Sequence, residues 1–174
     1  DYRQINAHWI LPSPNIPTFD TALCYVGTVL FEGTNVSEGR GTTKPFEYIG
    51  APWMKHTEVV KKMKECNIEG VDFAPVCFTP MFSKHKGELC KGIQIFITDY
   101  DKFKPYRCGL MMLDVIRRTN SEFEFLTSNG TSFFIDKLAG TDEIRKDEFK
   151  PDEYIKKQTA KVHPSDRPNI AVRC

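Results

Sequence analysis

Apolar positions along this chain follow two different spacings, and the elements they predict alternate irregularly. Residues 71–78, Val-Asp-Phe-Ala-Pro-Val-Cys-Phe, alternate as a half-buried strand does, with Pro75 marking an edge or a bulge. Residues 93–98, Ile-Gln-Ile-Phe-Ile-Thr, form the clearest strand, closed by Asp99 and Asp101. Helical spacing predicts a helix from a Thr57 cap to Cys66, with Val59, Val60 and Met63 inward and Asn67 and Gly70 ending it. A second helix starts at Pro105 and runs through Leu110, Leu113 and Ile116 to Arg118. Phe123–Leu126 reads as a short strand. Helices are expected near Phe133–Leu138, Asp142–Lys146 and Asp152–Lys161, the last with Asp152 and Glu153 at the positive end of its dipole.

Between these elements lie stretches with other chemistry. Residues 9–17 carry three prolines and should be stiff and extended. In residues 18–31, Phe19, Leu23, Val26 and Leu30 fit a helix, while Gly27, Thr28 and Val29 favour a break followed by a short strand. His163 to Cys174 should be an extended tail. Strands and helices do not alternate cleanly, so the expected class is α+β, a mixed β-sheet with packed helices in a single compact domain over residues 1–174.

Two polar, glycine-broken loops hold the candidate chemistry. Residues 31–47 combine Glu32, Asn35, Ser37, Glu38, Arg40 and Thr42 with three glycines, the inventory for holding a sugar through many directional hydrogen bonds. Arg40 can also meet a carboxylate with two N–H groups. The blander alternative is a solvated turn in which Glu38 and Arg40 merely pair. Residues 78–92 follow a strand, where Lys84 and His85 can position an anionic group. The spacing of a phosphate loop is absent. Trp9 and Trp53 are packing residues before they are sugar platforms, and Asn35-Val36-Ser37 and Asn129-Gly130-Thr131 match the N-glycosylation pattern, a match that would be accidental if the protein were bacterial.

Composition narrows the function classes. The 174 residues are 40% hydrophobic and 27% charged with a net charge of +1, a globular balance without the basic stripe of a nucleic-acid binder. No run approaches the roughly 20 apolar residues of a membrane span. None of the six cysteines forms a C-x-x-C pair, so most are expected to be buried free thiols, and no metal or cofactor is expected. The chain opens Asp1-Tyr2-Arg3 with no leader-like segment, which reads as a processed or excised piece.

The stretch Trp9-Ile10-Leu11-Pro12-Ser13-Pro14-Asn15-Ile16-Pro17-Thr18-Phe19-Asp20-Thr21-Ala22 and the segment Glu32–Trp53, with Ile49-Gly50-Ala51-Pro52-Trp53, resemble the NamZ-type exo-β-N-acetylmuramidases. So do Phe78-Thr79-Pro80, Phe82-Ser83-Lys84, Gly87-Glu88-Leu89-Cys90, Gly92-Ile93-Gln94 and Leu138-Ala139-Gly140-Thr141-Asp142. The resemblance implies a glycoside hydrolase that removes terminal N-acetylmuramic acid from the non-reducing end of peptidoglycan fragments, a step of cell wall recycling. It implies a secreted or periplasmic protein, although buried thiols suit the cytoplasm equally. It also implies that this chain is the C-terminal domain, partnered by an N-terminal Rossmann-like domain of the same protein across the substrate cleft. The family's proposed catalytic glutamate sits in a Glu-His-Gly segment, which is absent here, so the isolated chain is expected to be inactive. In that setting Arg40 or Lys84 would pair with the lactyl carboxylate, and Asn35 and Ser37 would hold amide or hydroxyl groups. Glu38 is the first candidate for an assisting catalytic carboxylate and Glu32 the second. The alternatives are a module that binds muropeptide sugars without cleaving them, and a purely structural domain.

Overall fold

The computed structural model describes residues 8–128 and 130–161; the expected tail, Cys174 and the Asn129 pattern lie outside the described residues. The element order begins with α1 (Phe19–Thr28), which runs directly into a 3-10 turn (Val29–Gly33). There follow β1 (Tyr48–Ala51), α2 (His56–Glu65), β2 (Val71–Phe78), β3 (Cys90–Ile97) and α3 (Pro105–Thr119). A two-residue pair, β4 (Thr127–Ser128) and β5 (Ser132–Phe133), leads into α4 (Phe134–Ala139), a 3-10 turn (Glu143–Arg145) and α5 (Pro151–Lys161).

The α+β class stands. The main sheet has the order β1-β3-β2, with β3 antiparallel to both neighbours. Its pairings are therefore all antiparallel rather than mixed. β1 and β2 nevertheless run the same way, with α2 crossing between them and β3 inserted in the gap, so the unit is a split βαβ. Pro75 fits because β2 is an outer strand, where its missing N–H breaks no ladder on the open side. Phe73 opposite Ile95 sets the register that turns Phe73, Ile93 and Ile95 toward the core. Onto that core α2 lays Val59, Val60 and Met63, all buried, and α3 packs behind it with Leu110, Leu113 and Ile116.

Three boundaries differ from expectation, each for a tertiary reason. First, Gly27 does not break α1. It is the crossing point with α3: a Cβ on Gly27 would lie 2.1 Å from the Pro105 carbonyl oxygen, and one on Gly109 would lie 2.4 Å from the Gly27 carbonyl oxygen. The glycines permit close approach of two helices, and the expected strand at Thr28 and Val29 is helical instead. Second, α2 starts at His56 rather than after a Thr57 cap; the amide of Lys55 is fixed by Asn120 Oδ1 at 2.8 Å, a contact made from the far end of α3. Third, the strand expected at Phe123–Leu126 reduces to a bridge between Phe125 and Thr34, with regular pairing only from Thr127.

Of the cysteines, Cys24, Cys90 and Cys108 are buried and free, Cys66 is half-buried and Cys77 is exposed. Trp53 packs partly buried against the core, and Trp9 meets Phe19 edge-on.

Candidate functional site

The two polar loops fold side by side, and one lysine ties them. Lys84 Nζ donates to the carbonyls of Phe31 at 2.7 Å and Val36 at 3.0 Å and to Glu38 Oε2 at 2.9 Å. The backbones meet as well: the Met81 amide donates to Gly41 O at 2.9 Å. Gly41 has φ +80°, and a Cβ there would come within 2.7 Å of the Phe82 backbone, so this approach requires glycine.

From Glu38 the charges continue in a chain. Its side chain is 3% exposed; Oε2 takes Lys84, and Oε1 faces Arg40 Nε at 3.2 Å. Arg40 Nη2 donates to Glu32 Oε1 at 2.5 Å, and the guanidinium lies 5.0 Å from the centroid of the Phe46 ring. Two carboxylates and two cations alternate, so the cluster is neutral. Burial pushes the Lys84 ammonium below its ordinary lysine value, and the Glu38 carboxylate beside it opposes that shift. Removing one partner of a buried pair like Glu38–Lys84 costs about 3–5 kcal/mol, because the other charge stays buried and uncompensated.

The other candidates have partners inside the chain. Asn35 is a clip: its Nδ2 donates to Glu122 O at 2.7 Å, and its Oδ1 accepts the Glu124 amide at 3.0 Å. Ser37 is buried, exchanges backbone hydrogen bonds with Gly50 beside β1, and its hydroxyl accepts the Gly39 amide. Thr42 Oγ1 donates to Gly39 O at 2.7 Å and accepts the Lys44 amide. His85 Nε2 lies 2.8 Å from Asn35 O, and its other ring nitrogen is 3.8 Å from Glu88. Two polar ends stay open among the described residues: Nη1 of Arg40 and the second oxygen of Glu32, on side chains 30% and 21% exposed.

Two features had no clear signal in the sequence. Phe46, held at φ 62° with its amide on Glu38 O, is the floor under Arg40. Glu47 forms a second buried polar group next door: Oε1 accepts the Thr21 hydroxyl at 2.7 Å and Oε2 meets Lys44 at 2.9 Å, which raises the Lys44 pKa. Lys44-Pro45-Phe46-Glu47 reads as a turn in the sequence, with nothing to mark which side chains turn inward.

A groove of about 540 Å³ lies elsewhere, lined by residues of α3 and α5 such as Met111, Val115 and Arg118, and a charged concavity of about 270 Å³ adjoins it around Lys146 and Tyr154. Neither includes a candidate residue, and the loop cluster, with its concentrated charges, is the better candidate on chemistry. Among the described residues no group of three or more His, Cys, Asp or Glu can hold a metal ion, and no helix is long and apolar enough to cross a membrane.

The chain is 47% identical over 146 residues to the peptidoglycan beta-N-acetylmuramidase NamZ of Bacillus subtilis (strain 168), a match covering 83% of this chain and 34% of that protein. Two solved DUF1343 family proteins of Bacteroides fragilis share the fold. One has a TM-score of 0.73 at 25% identity over 83% of this chain and 38% of its own; the other has 0.57 at 26% identity over 84% and 38%. The chain thus spans about a third of the length of these relatives. The family described as "Exo-beta-N-acetylmuramidase NamZ, C-terminal" matches residues 23–162, and this chain belongs to it.

Proposed function

We propose that this chain supplies one wall of the cleft in which a peptidoglycan glycosidase takes terminal N-acetylmuramic acid from the non-reducing end of cell-wall fragments. The rest of the polypeptide, the Rossmann-like part expected from the family, supplies the other wall and the principal catalytic carboxylate, so the chain alone is inactive. The observation that carries the reading is the state of Arg40. It is gripped by Glu32, Glu38 and Phe46, yet one guanidinium nitrogen has no partner among the described residues. A braced arginine with an open edge suits the lactyl carboxylate, the group that distinguishes this sugar from N-acetylglucosamine.

The same geometry reorders the carboxylates. Both oxygens of buried Glu38 are engaged by cations, so it orients Arg40 and neither donates a proton nor reaches a substrate. Glu32 keeps one oxygen open and is the carboxylate of this wall able to face the sugar. Lys84, Asn35 and Thr42 shape the loops, and His85 and Ser37 line them. On this reading the protein works in the periplasm or the medium, where its substrate lies, and serves cell wall recycling.

The test compares N-acetylmuramic acid and N-acetylglucosamine as competitive inhibitors of the full-length protein. Losing a hydrogen bond to a charged group costs about 1.5–3 kcal/mol, so Arg40→Leu should weaken the first by about 10- to 100-fold and leave the second unchanged. Equal loss for both would remove Arg40 from recognition. It would favour a second reading, a domain that only buttresses the rest, which the internal satisfaction of Lys84, Asn35 and Thr42 supports.

A further inference from the structure

Lys84 combines features that ordinary packing does not explain. It is an ammonium largely removed from water, and it comes from a different loop than every group it touches. An ammonium has three N–H donors, and all three are used: two on backbone carbonyls and one on a carboxylate. The carbonyls are informative. Phe31 sits inside the 3-10 turn, next to Glu32, and Val36 precedes the Ser37–Glu38 stretch, whose Ser37 bridges to β1. One cation therefore fixes the backbone just ahead of each glutamate and one oxygen of Glu38, whose other oxygen is left to grip Arg40. No direct Lys84–Arg40 contact is needed; two like charges are held apart by the carboxylate between them.

We propose that Lys84 is a positioning residue: its ammonium gathers Phe31, Val36 and Glu38 so that Glu38 and Glu32 hold Arg40 in one orientation, ready for an anionic ligand. The ligand part rests on the reading of Arg40 given above; the positioning part stands on the geometry alone. Lysine is suited to the task because three convergent acceptors match the tetrahedral donors of an ammonium and not the flat fork of a guanidinium. If Lys84 is lost, the cluster keeps two carboxylates for one cation, Glu38 loses the donor that fixes its Oε2, and Arg40 loses the braced carboxylate that holds its Nε–H.

Amide and side-chain NMR on the labelled chain tests this without any sugar. In the unsubstituted chain, Lys84 should show a slowly exchanging ammonium signal on cooling. In Lys84→Met, solvent exchange of the Arg40 Nε–H should rise at least tenfold. The double variant Lys84→Met/Glu38→Gln, in which the charges balance again, should recover part of that change. A folded Lys84→Met chain with unaltered Arg40 exchange overturns the proposal, because a lysine that only fills space would give that result. If Lys84→Met does not fold, a rapidly exchanging Lys84 ammonium in the unsubstituted chain overturns it equally. Adding N-acetylmuramic acid to the full-length protein, labelled in the same way, reads the ligand part separately: an Arg40 signal that follows Lys84 but ignores the sugar leaves the positioning intact and rejects the functional reading.

Discussion

Replacing Gly27 by alanine tests how the helix layer holds the loops. α1 crosses α3 where Gly27 and Gly109 touch, and α1 continues without a break into the turn that presents Phe31 and Glu32. A methyl group on Gly27 would sit 2.1 Å from the Pro105 carbonyl oxygen, while Cβ contacts below 3.0 Å essentially do not occur, so the helices must part by about 1 Å. The obstacle is backbone, which has no rotamer to yield. Overpacking of this kind costs about 3 kcal/mol. Alanine recovers about 1 kcal/mol through its better helix propensity. The net loss is about 2 kcal/mol, and for a chain of 174 residues that lowers Tm by about 4–8 °C. Urea unfolding should show a lower midpoint at unchanged slope, since the surface exposed on unfolding is the same. A Gly27→Ala chain as stable as the parent, or more so, would show that propensity governs this site and would refute the close-approach argument.

Gly41 and Gly87 share φ near +80°, but a Cβ on Gly41 would strike the Phe82 backbone whereas one on Gly87 meets nothing within 4 Å. Gly87→Ala should therefore cost only about 1 kcal/mol of backbone strain, and Gly41→Ala clearly more, as measured by urea midpoints; equal costs would deny the contact between the loops. Arg107 holds the Asp152 carboxyl below its usual range, joining α3 to α5. A group with a depressed folded pKa lends stability above its unfolded value, near 3.8, and loses it as pH falls through the folded one. The Tm gap between parent and Asp152→Asn should thus be present at pH 6 and close below pH 4; Asp152 is half exposed, so the gap is small. Burial raises the Cys90 thiol to about 11 and the Cys108 thiol to about 12, while Cys77 is exposed. A thiol reagent at pH 8 should modify Cys77 well before Cys24, Cys90 or Cys108, and early labelling of Cys108 would contradict the packing of α3 on α1.

The elements legible in the sequence are those whose signal is local. β2 and β3 declare themselves through alternation, Pro105 marks the start of α3, and Val59, Val60 and Met63 form the inner face of α2, because period and capping depend only on near neighbours. What misleads is local chemistry overruled from a distance. Gly27 has the composition of a breaker and serves as a helix crossing, because Gly109, 82 positions on, supplies the matching gap. Asn120 takes over the entry to α2 that Thr57 seemed fitted to cap. The sheet's pairing is illegible for a related reason: β3 enters between two strands already joined through α2, and nothing in any of the three segments specifies that order.

The candidate site shows the same limit in its polar groups. Side chains suited to binding a sugar are equally suited to binding the chain's own backbone, and residue type does not separate the two uses. Counting donors does. Lys84 has three N–H groups and spends three within the chain; Asn35 commits both its carbonyl and its amide nitrogen. Arg40 has five N–H groups; one donates to Glu32 and another faces Glu38 in an ion pair, so it can be braced by the protein and still face outward. Within this cluster an arginine is therefore suited to recognition and a lysine to scaffolding, which is why exchanging them, as Arg40→Lys, should preserve the charge and still lose the anion.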